Sequence, residues 1–286
     1  MALDILKRLA AYFFPLRLLA IAAYGAFLVL LEIVTFQSRP KDVFSPRKLS
    51  ERVFGKLWLR IGNPCHTVLG PRPPSVQHDE IATVELETDV PDLVAKAYGT
   101  VLEIGPGSGN QLPRYDISKI DRVYGVEPNV DLHDALRRSV KKHGLSDVYT
   151  IVPCGVEDLE KLREFDISSG SVDTVLSVQV LCSVPAPGEM VKELYRLLRP
   201  RGQMIVYEHV KSEDYLSHLV QLVYNLVWPY ALGNCHLNRP TEKYLLEAGS
   251  WSTIELETPK EEDAWTVLPR VSGRLVKWGG GSASRS

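Results

Sequence analysis

The sequence predicts an α/β protein, a doubly wound, mostly parallel sheet preceded by an apolar N-terminal helix. Three observations carry this. Val101-Leu-Glu-Ile104 is a short apolar run that feeds a turn with glycines at 105, 107 and 109. Strand-like and helix-like segments alternate from 100 to 209, and residues 9–31 read LAAYFFPLRLLAIAAYGAFLVLL with Arg17 as the only charge. Alternation of that kind makes parallel sheets with helices on both faces.

The apolar segment comes first. A bilayer span needs about 20 apolar residues, so 9–31 is long enough to anchor the chain, with Pro15 bending or starting the helix. No Ala-x-Ala site follows it before Glu32, which disfavours a cleaved signal peptide. Basic residues are denser after it (Arg39, Lys41, Arg47, Lys48, Arg52) than before it, which puts the following domain on the cytosolic side. Residues 37–76 lack a clear period, and Pro71-Arg-Pro-Pro74 reads as a stiff connector. The expected division is an anchor at 1–36, a linker and cap region at 37–95, the α/β domain at 96–277 and a flexible tail at 278–286.

Within the domain the glycine turn lets the backbone approach a ligand closely, as in open α/β sheets that cradle an adenosine-bearing cofactor. Arg122–Val126 is the second strand and ends in Glu127, 22 residues beyond Gly105, an offset at which an acid accepts the ribose hydroxyls. Residues 130–143 form a surface helix stopped by Gly144. Tyr149–Val152 is the third strand, followed by Val156, Glu157 and Asp158, where an acid can receive an adenine amine. Residues 171–178 form a central strand, 189–198 a helix, and 203–207 a fifth strand with Glu208 and His209 at its carboxyl end. This is a Rossmann-like arrangement, and ligands gather at the carboxyl ends of its strands.

Composition narrows the partners. With 45% apolar residues, 24% charged and a net charge of −2, the 286 residues hold a sizeable core and no basic footprint for nucleic acid. Four scattered cysteines fit a reducing compartment. Cys65-His66 and Cys235-His236 lack the Cys-x-x-Cys or His-x3-His spacing of a metal site, so no metal is expected.

The glycines fall as G-x-G-x-G, with Asn110 at the third dinucleotide position and Glu103 before the turn, which disfavours a nicotinamide cofactor. LEIGPGSG (102–109), VEPN (126–129), SVDTVLSVQVLCSV (171–184) and ELYRLLRPRGQMIVYEHV (193–210) together resemble the class I S-adenosylmethionine-dependent methyltransferases. More narrowly, the anchor, LCSV at 181–184, EHV at 208–210 and Cys-x-Leu-x-Arg at 235–239 resemble the small membrane-anchored methyltransferase-like family, which methylates alkyl thiols at the endoplasmic reticulum and lipid droplets. Pro106 and Glu127 stand where animal members commonly carry cysteine and aspartate.

The resemblance implies S-adenosylmethionine as cofactor. Glu103, Gly105, Gly107, Ser108 and Gly109 would sit around its methionine part, and Glu127, Pro128 and Asn129 around the ribose. Val156 and Glu157 would border the adenine, and Gln179 the sulfonium. His209 stands as the candidate base, with Glu208 as its alternative, because strand neighbours face opposite sides. His66 and His236 are further pocket candidates, and Cys182 reads as a small core residue. Residues 215–232 carry apolar positions at helical spacing, either a helix packed on the core or a lid that dips into a membrane and admits hydrophobic substrates. The expected function is methyl transfer to a small hydrophobic acceptor, thiol sulfur first, at a membrane surface. A hydroxyl or amine acceptor and a non-catalytic cofactor-binding membrane protein are the alternatives.

Overall fold

The computed structural model describes residues 2–34, 46–61, 88–259 and 262–280. The stiff connector, the Cys65-His66 pair and most of the tail lie outside the described residues.

Among the described residues the sheet has seven strands in the order β3-β2-β1-β4-β5-β7-β6. They are β1 (Gly99–Ile104), β2 (Ile120–Val126), β3 (Tyr149–Val152), β4 (Val172–Val178), β5 (Leu198–His209), β6 (Trp251–Glu257) and β7 (Arg270–Lys277). The first five pair in parallel, and β7 runs antiparallel to both β5 and β6. Side chains alternate across the sheet as the pleat requires. Leu102, Ile104, Val175, Met204 and Val206 face one core, and Val101, Leu176 and Ile205 face the other. The central strands are apolar on both faces because both faces are covered.

The antiparallel pair β6–β7 lies beyond the expected alternation. Its outer strand β6 has an exposed, mixed pattern with Ile254 outward, so no apolar period announces it.

The N-terminal helix α1 (Ala2–Val34) runs through Pro15 without interruption. Its Pro15, Leu18, Ala22, Gly25 and Val29 are buried, at the i, i+3, i+4 spacing of one helix face. Leu18 and Ala22 join a third core cluster with Cys182, Trp228, Leu232, Cys235 and Leu237. Arg8 pairs with Asp214 at 2.6 Å, and the Tyr224 hydroxyl donates to the Tyr12 carbonyl at 2.9 Å. This helix is therefore packed along the domain. Inside the segment expected to lack a period, Pro46–Ile61 forms helix α2, which packs on α1. Its buried positions are Ser50, Val53 and Gly55. Val53, Phe54, Leu57 and Trp58 recur at i, i+1, i+4 and i+5, an apolar stripe that the sequence does carry.

The remaining helices are α3 (Val90–Val94), α4 (His133–Lys142), α5 (Leu159–Arg163), α6 (Pro187–Leu197), α7 (Tyr215–Tyr224), α8 (Trp228–Ala231) and α9 (Thr241–Leu246). Gly273 on β7 has φ +145°, and a Cβ there would lie 1.8 Å from the Glu255 carbonyl oxygen on β6. Backbone strain of this kind costs about 1–3 kcal/mol before the clash is relieved. Gly273→Ala is expected to lower Tm by at least about 3 °C in thermal unfolding, and an unchanged Tm would show that β6 does not pack as described.

Candidate active site

β1 ends at Ile104, and the chain turns through Gly105 (φ +60°) and Gly107 (φ +61°). Left-handed backbone alone favours glycine here. The space does too, since a Cβ on Gly105 would meet Val180 at 2.7 Å. The turn is held from the adjacent strand. The Glu127 carboxylate, at the end of β2, accepts Gly107 N–H and Asn129 N–H, each at 2.9 Å. From above, the Trp58 indole of α2 donates to Ser108 Oγ at 3.0 Å, and Asn129 Nδ2 donates to the Glu51 carbonyl at 2.8 Å.

These pieces enclose a cleft at the carboxyl ends of β1, β2 and β4. Of the residues singled out in the sequence, Glu103, Gly105 and Gly107 line it from β1, and Glu127, Pro128 and Asn129 from β2. Val156 and Glu157 line it after β3, and Gln179 after β4. Gln179 has φ +59°, a strained backbone for a non-glycine residue, and its N–H donates to the Tyr207 carbonyl at 2.7 Å. Ser108 and Gly109 are set back from the cleft. Ser108 is engaged by Trp58 and donates to Asn110 Oδ1, and the Gly109 carbonyl accepts the Ser139 hydroxyl.

Glu208 and His209 also lie off the cleft wall. Glu208 is fully buried and spent on architecture, accepting Ser177 Oγ and the amides of Val180 and Leu181. His209 faces the other way, with Nδ1 3.9 Å from Cys235 Sγ. Of the two lesser histidines, His66 lies outside the described residues, and His236 is half-buried off the lining. Residues that sequence reasoning did not single out complete the cleft: Glu51, Phe54 and Trp58 on α2, and Ser183, Val184 and Asn234 on two loops. Phe54 and Trp58, four apart with ring centroids 5.4 Å apart, were the available signal.

The electrostatics are set by buried carboxyls. Burial pushes Glu103 up to about 7, against the hydrogen bond donated by Tyr149 at 2.9 Å. Burial likewise pushes Glu127 to about 7, against its two backbone N–H donors. Burial, then the nearby Cys182, pushes Glu208 to about 8. Glu103 Oε1 is buried and makes no well-formed hydrogen bond among the described residues, although the Tyr115 hydroxyl lies near enough to Glu103 to act against the effect of burial. An unused acceptor on the wall of a cleft fits a cationic donor such as the amino group of S-adenosylmethionine. Each Glu127 oxygen keeps a free lone-pair site, which fits a ribose diol.

A methyltransferase domain family matches residues 102–206. Among solved structures the [4+2]-cyclase SpnF superposes with a TM-score of 0.56 at 16% identity, covering 81% of this chain and 97% of that one. That likeness speaks for the fold alone. Among characterised proteins, the 24-methylenesterol C-methyltransferase 2 of Arabidopsis thaliana is 25% identical over 256 residues, 85% of this chain and 68% of the relative. Fold, matched domain and cofactor cleft define a class I S-adenosylmethionine-dependent methyltransferase, with S-adenosylmethionine as its cofactor.

The narrower relationship follows from a relative of higher identity. The chain is 32% identical over 180 residues to the thiol S-methyltransferase TMT1B of Homo sapiens, spanning 62% of this chain and 70% of the relative. It belongs to the family of these thiol S-methyltransferases.

The raised carboxyls couple cofactor binding to protons. Between about pH 4.3, the ordinary carboxyl value, and pH 7–8, the folded chain holds protons that the unfolded chain has lost. Stability therefore falls as pH rises through that window. A cation beside Glu103 favours its ionised form, so binding releases protons and tightens as pH rises from about 6 to 8. Calorimetry of cofactor binding in two buffers of different ionisation enthalpy at pH 7 should show net proton release, reduced in Glu103→Gln together with a loss of about 1.5–3 kcal/mol in affinity. Proton uptake, or an unchanged Glu103→Gln, would be incompatible with this account.

Proposed function

We propose that this enzyme methylates the sulfur of small hydrophobic thiols at a membrane surface. The observation that carries the thiol is the lining of the cleft. Among the described residues that line it there is no histidine, lysine, cysteine or tyrosine. The wall beyond the glycine turn is Phe54, Val178, Val180, Val184 and Pro185. A thiol, with pKa about 8.5, supplies its own thiolate near neutrality, whereas a phenol near pKa 10 calls for a base held against it.

S-adenosylmethionine supplies the methyl on a positively charged sulfur. The chain's part is placement. In this reading the Glu103 carboxylate holds the cofactor's amino group, Glu127 with Pro128 and Asn129 holds the ribose, and Val156 and Glu157 border the adenine. Gln179 stands at the sulfonium end. Phe54 and Val180 shut out water and hold the acceptor sulfur about 3 Å from the methyl, in line with the leaving sulfur. Glu208, behind the cleft wall, braces this arrangement by holding the amides of Val180 and Leu181. The relative named above supports a thiol acceptor, and the sterol-acting relative supports an apolar one.

The membrane part rests on an inverted helix. On α7 the fully buried residues are Ser217 and Gln221. Ser217 Oγ donates to the Trp265 carbonyl, and Gln221 accepts Ser212 N–H and donates to the Val267 carbonyl. The outward face carries Leu216, Leu219 and Val223, continued by exposed Leu226 and Tyr230. Polar inside and apolar outside suits a lipid surface. Helix α1 adds to this outward apolar surface, with Leu9, Phe13, Leu16, Tyr24 and Phe27 exposed opposite its packed face. It is apolar and long enough to span a bilayer. At 1.5 Å per residue its 33 residues reach about 50 Å, and its docking along the domain favours lying in one leaflet. This support is for a face that seats the domain on the cytosolic surface of the endoplasmic reticulum or a lipid droplet.

Two measurements test the reading. Against a panel of thiols, phenols and amines, hydrophobic thiols should show the highest kcat/KM, with an acid limb in the pH profile whose midpoint follows the pKa of the thiol used. A phenol or amine preference, or a midpoint fixed across the thiols, would sink the proposal. Full-length Leu219→Glu/Val223→Glu should lose about tenfold or more in partition onto liposomes, from the apolar area withdrawn from lipid. Unchanged partition would remove α7 from the membrane.

A further inference from the structure

Away from the cleft lining, three soft ligands converge. Cys182 comes from the loop after β4, His209 from the end of β5, and Cys235 from the loop after α8. The two sulfurs and an imidazole nitrogen all lie within 4.8 Å of one another, and all three residues are buried. Their separation along the chain, 27 and 26 residues, hides them from any spacing rule.

We propose that Cys182, His209 and Cys235 bind one zinc ion, which pins together the loops that form one wall of the cleft. Two thiolates and an imidazole are a donor set for a borderline-soft, tetrahedral d10 ion. Bond lengths of about 2.3 Å to sulfur and 2.0 Å to nitrogen put tetrahedral ligand atoms about 3.5–3.8 Å apart. The Cys235 Sγ to His209 Nδ1 distance is already 3.9 Å, so binding asks for a contraction of about 1 Å at most. Metal binding replaces the thiol protons, which leave to solvent, and involves no change of oxidation state.

The surroundings suit two thiolates. The Arg239 guanidinium donates to the Leu181 and Val184 carbonyls at 2.6 Å and lies near enough to feel both thiols. The ligand loops are also already tied, His236 N–H donating to the Cys182 carbonyl at 2.9 Å and Thr241 Oγ1 to the His209 carbonyl at 2.8 Å. The residues next along the chain, Ser183 and Asn234, line the cleft, and Asn234 Nδ2 donates to the Ser183 carbonyl at 2.9 Å. Zinc would thus act as a positioning group for that wall. The inference does not depend on which acceptor the enzyme methylates.

The test uses the full chain, purified in detergent without chelator. Elemental analysis should find about one zinc per chain, falling to about a tenth or less in Cys182→Ser and in Cys235→Ser, normalised to the number of S-adenosylhomocysteine-binding sites so that only folded protein counts. Should those variants fail to fold, cobalt(II) exchanged into the unaltered chain should give thiolate-to-cobalt charge-transfer absorption and tetrahedral d–d bands. On chelation, amide exchange should quicken at 180–185 and 233–235. Metal-free protein that takes up neither zinc nor cobalt, or a Cys182–Cys235 disulfide found by mass spectrometry in freshly isolated protein, would overturn the site. Bound zinc whose removal leaves exchange at those loops unchanged would overturn its pinning role.

Discussion

The Glu127 carboxylate, only 5% exposed at the end of β2, accepts the Gly107 and Asn129 amides and so fixes the glycine turn against the neighbouring strand. The rest of the cleft is assembled on this tie. Asn129, whose amide it holds, in turn donates its side chain to the Glu51 carbonyl and lies 2.6 Å from where a Cβ on Gly55 would be. With glycine at 55, helix α2 docks here without displacing the Asn129 side chain. Trp58, one turn further on, then reaches Ser108. One buried acid sets the turn, and the turn seats the helix that covers it.

That chain of contacts continues outward. Helix α2 packs on α1, and Ser50 donates to the Pro229 carbonyl of α8 at 3.2 Å. Helix α1 itself shares an apolar cluster with Trp228 and Leu232. The long apolar helix is therefore a wall of the folded body, and the covering helix stands on it. An element that orients α1 also orients Phe54 and Trp58 over the cleft. This couples the proposed membrane face to the opening through which an apolar acceptor would enter.

The parallel sheet was legible because its strands are buried on both faces and read as apolar runs between turn residues. The acids at 103 and 127 were legible because fixed offsets from a glycine turn reflect fixed geometry. Helix α2 was missed although Val53, Phe54, Leu57 and Trp58 recur at helical spacing, because the prolines, arginines and lysines around it read as a connector. Strand β6 was hidden by exposure. The Cys182–His209–Cys235 cluster was hidden by topology, because the crossover connections of a parallel sheet bring together residues that no local pattern relates. For α7 the apolar spacing was visible, but which side it faced was not. Only the hydrogen bonds of Ser217 and Gln221 turn the polar side inward.

The carboxyl end of β5 decides what kind of chemistry is left to the acceptor. Neighbouring residues on a strand face opposite ways, and here both of the titratable ones are committed. Glu208 supports the loop after β4 by accepting the Val180 and Leu181 amides, and His209 turns to Cys235. Across the cleft Glu103 and Glu127 are tied to Tyr149 and to backbone amides. In the proposed reading, a cleft whose described lining has no histidine, lysine, cysteine or tyrosine selects acceptors by their own acidity. On that reading the cleft would place a thiolate well and give little help to a phenol, however well the phenol fits the apolar wall.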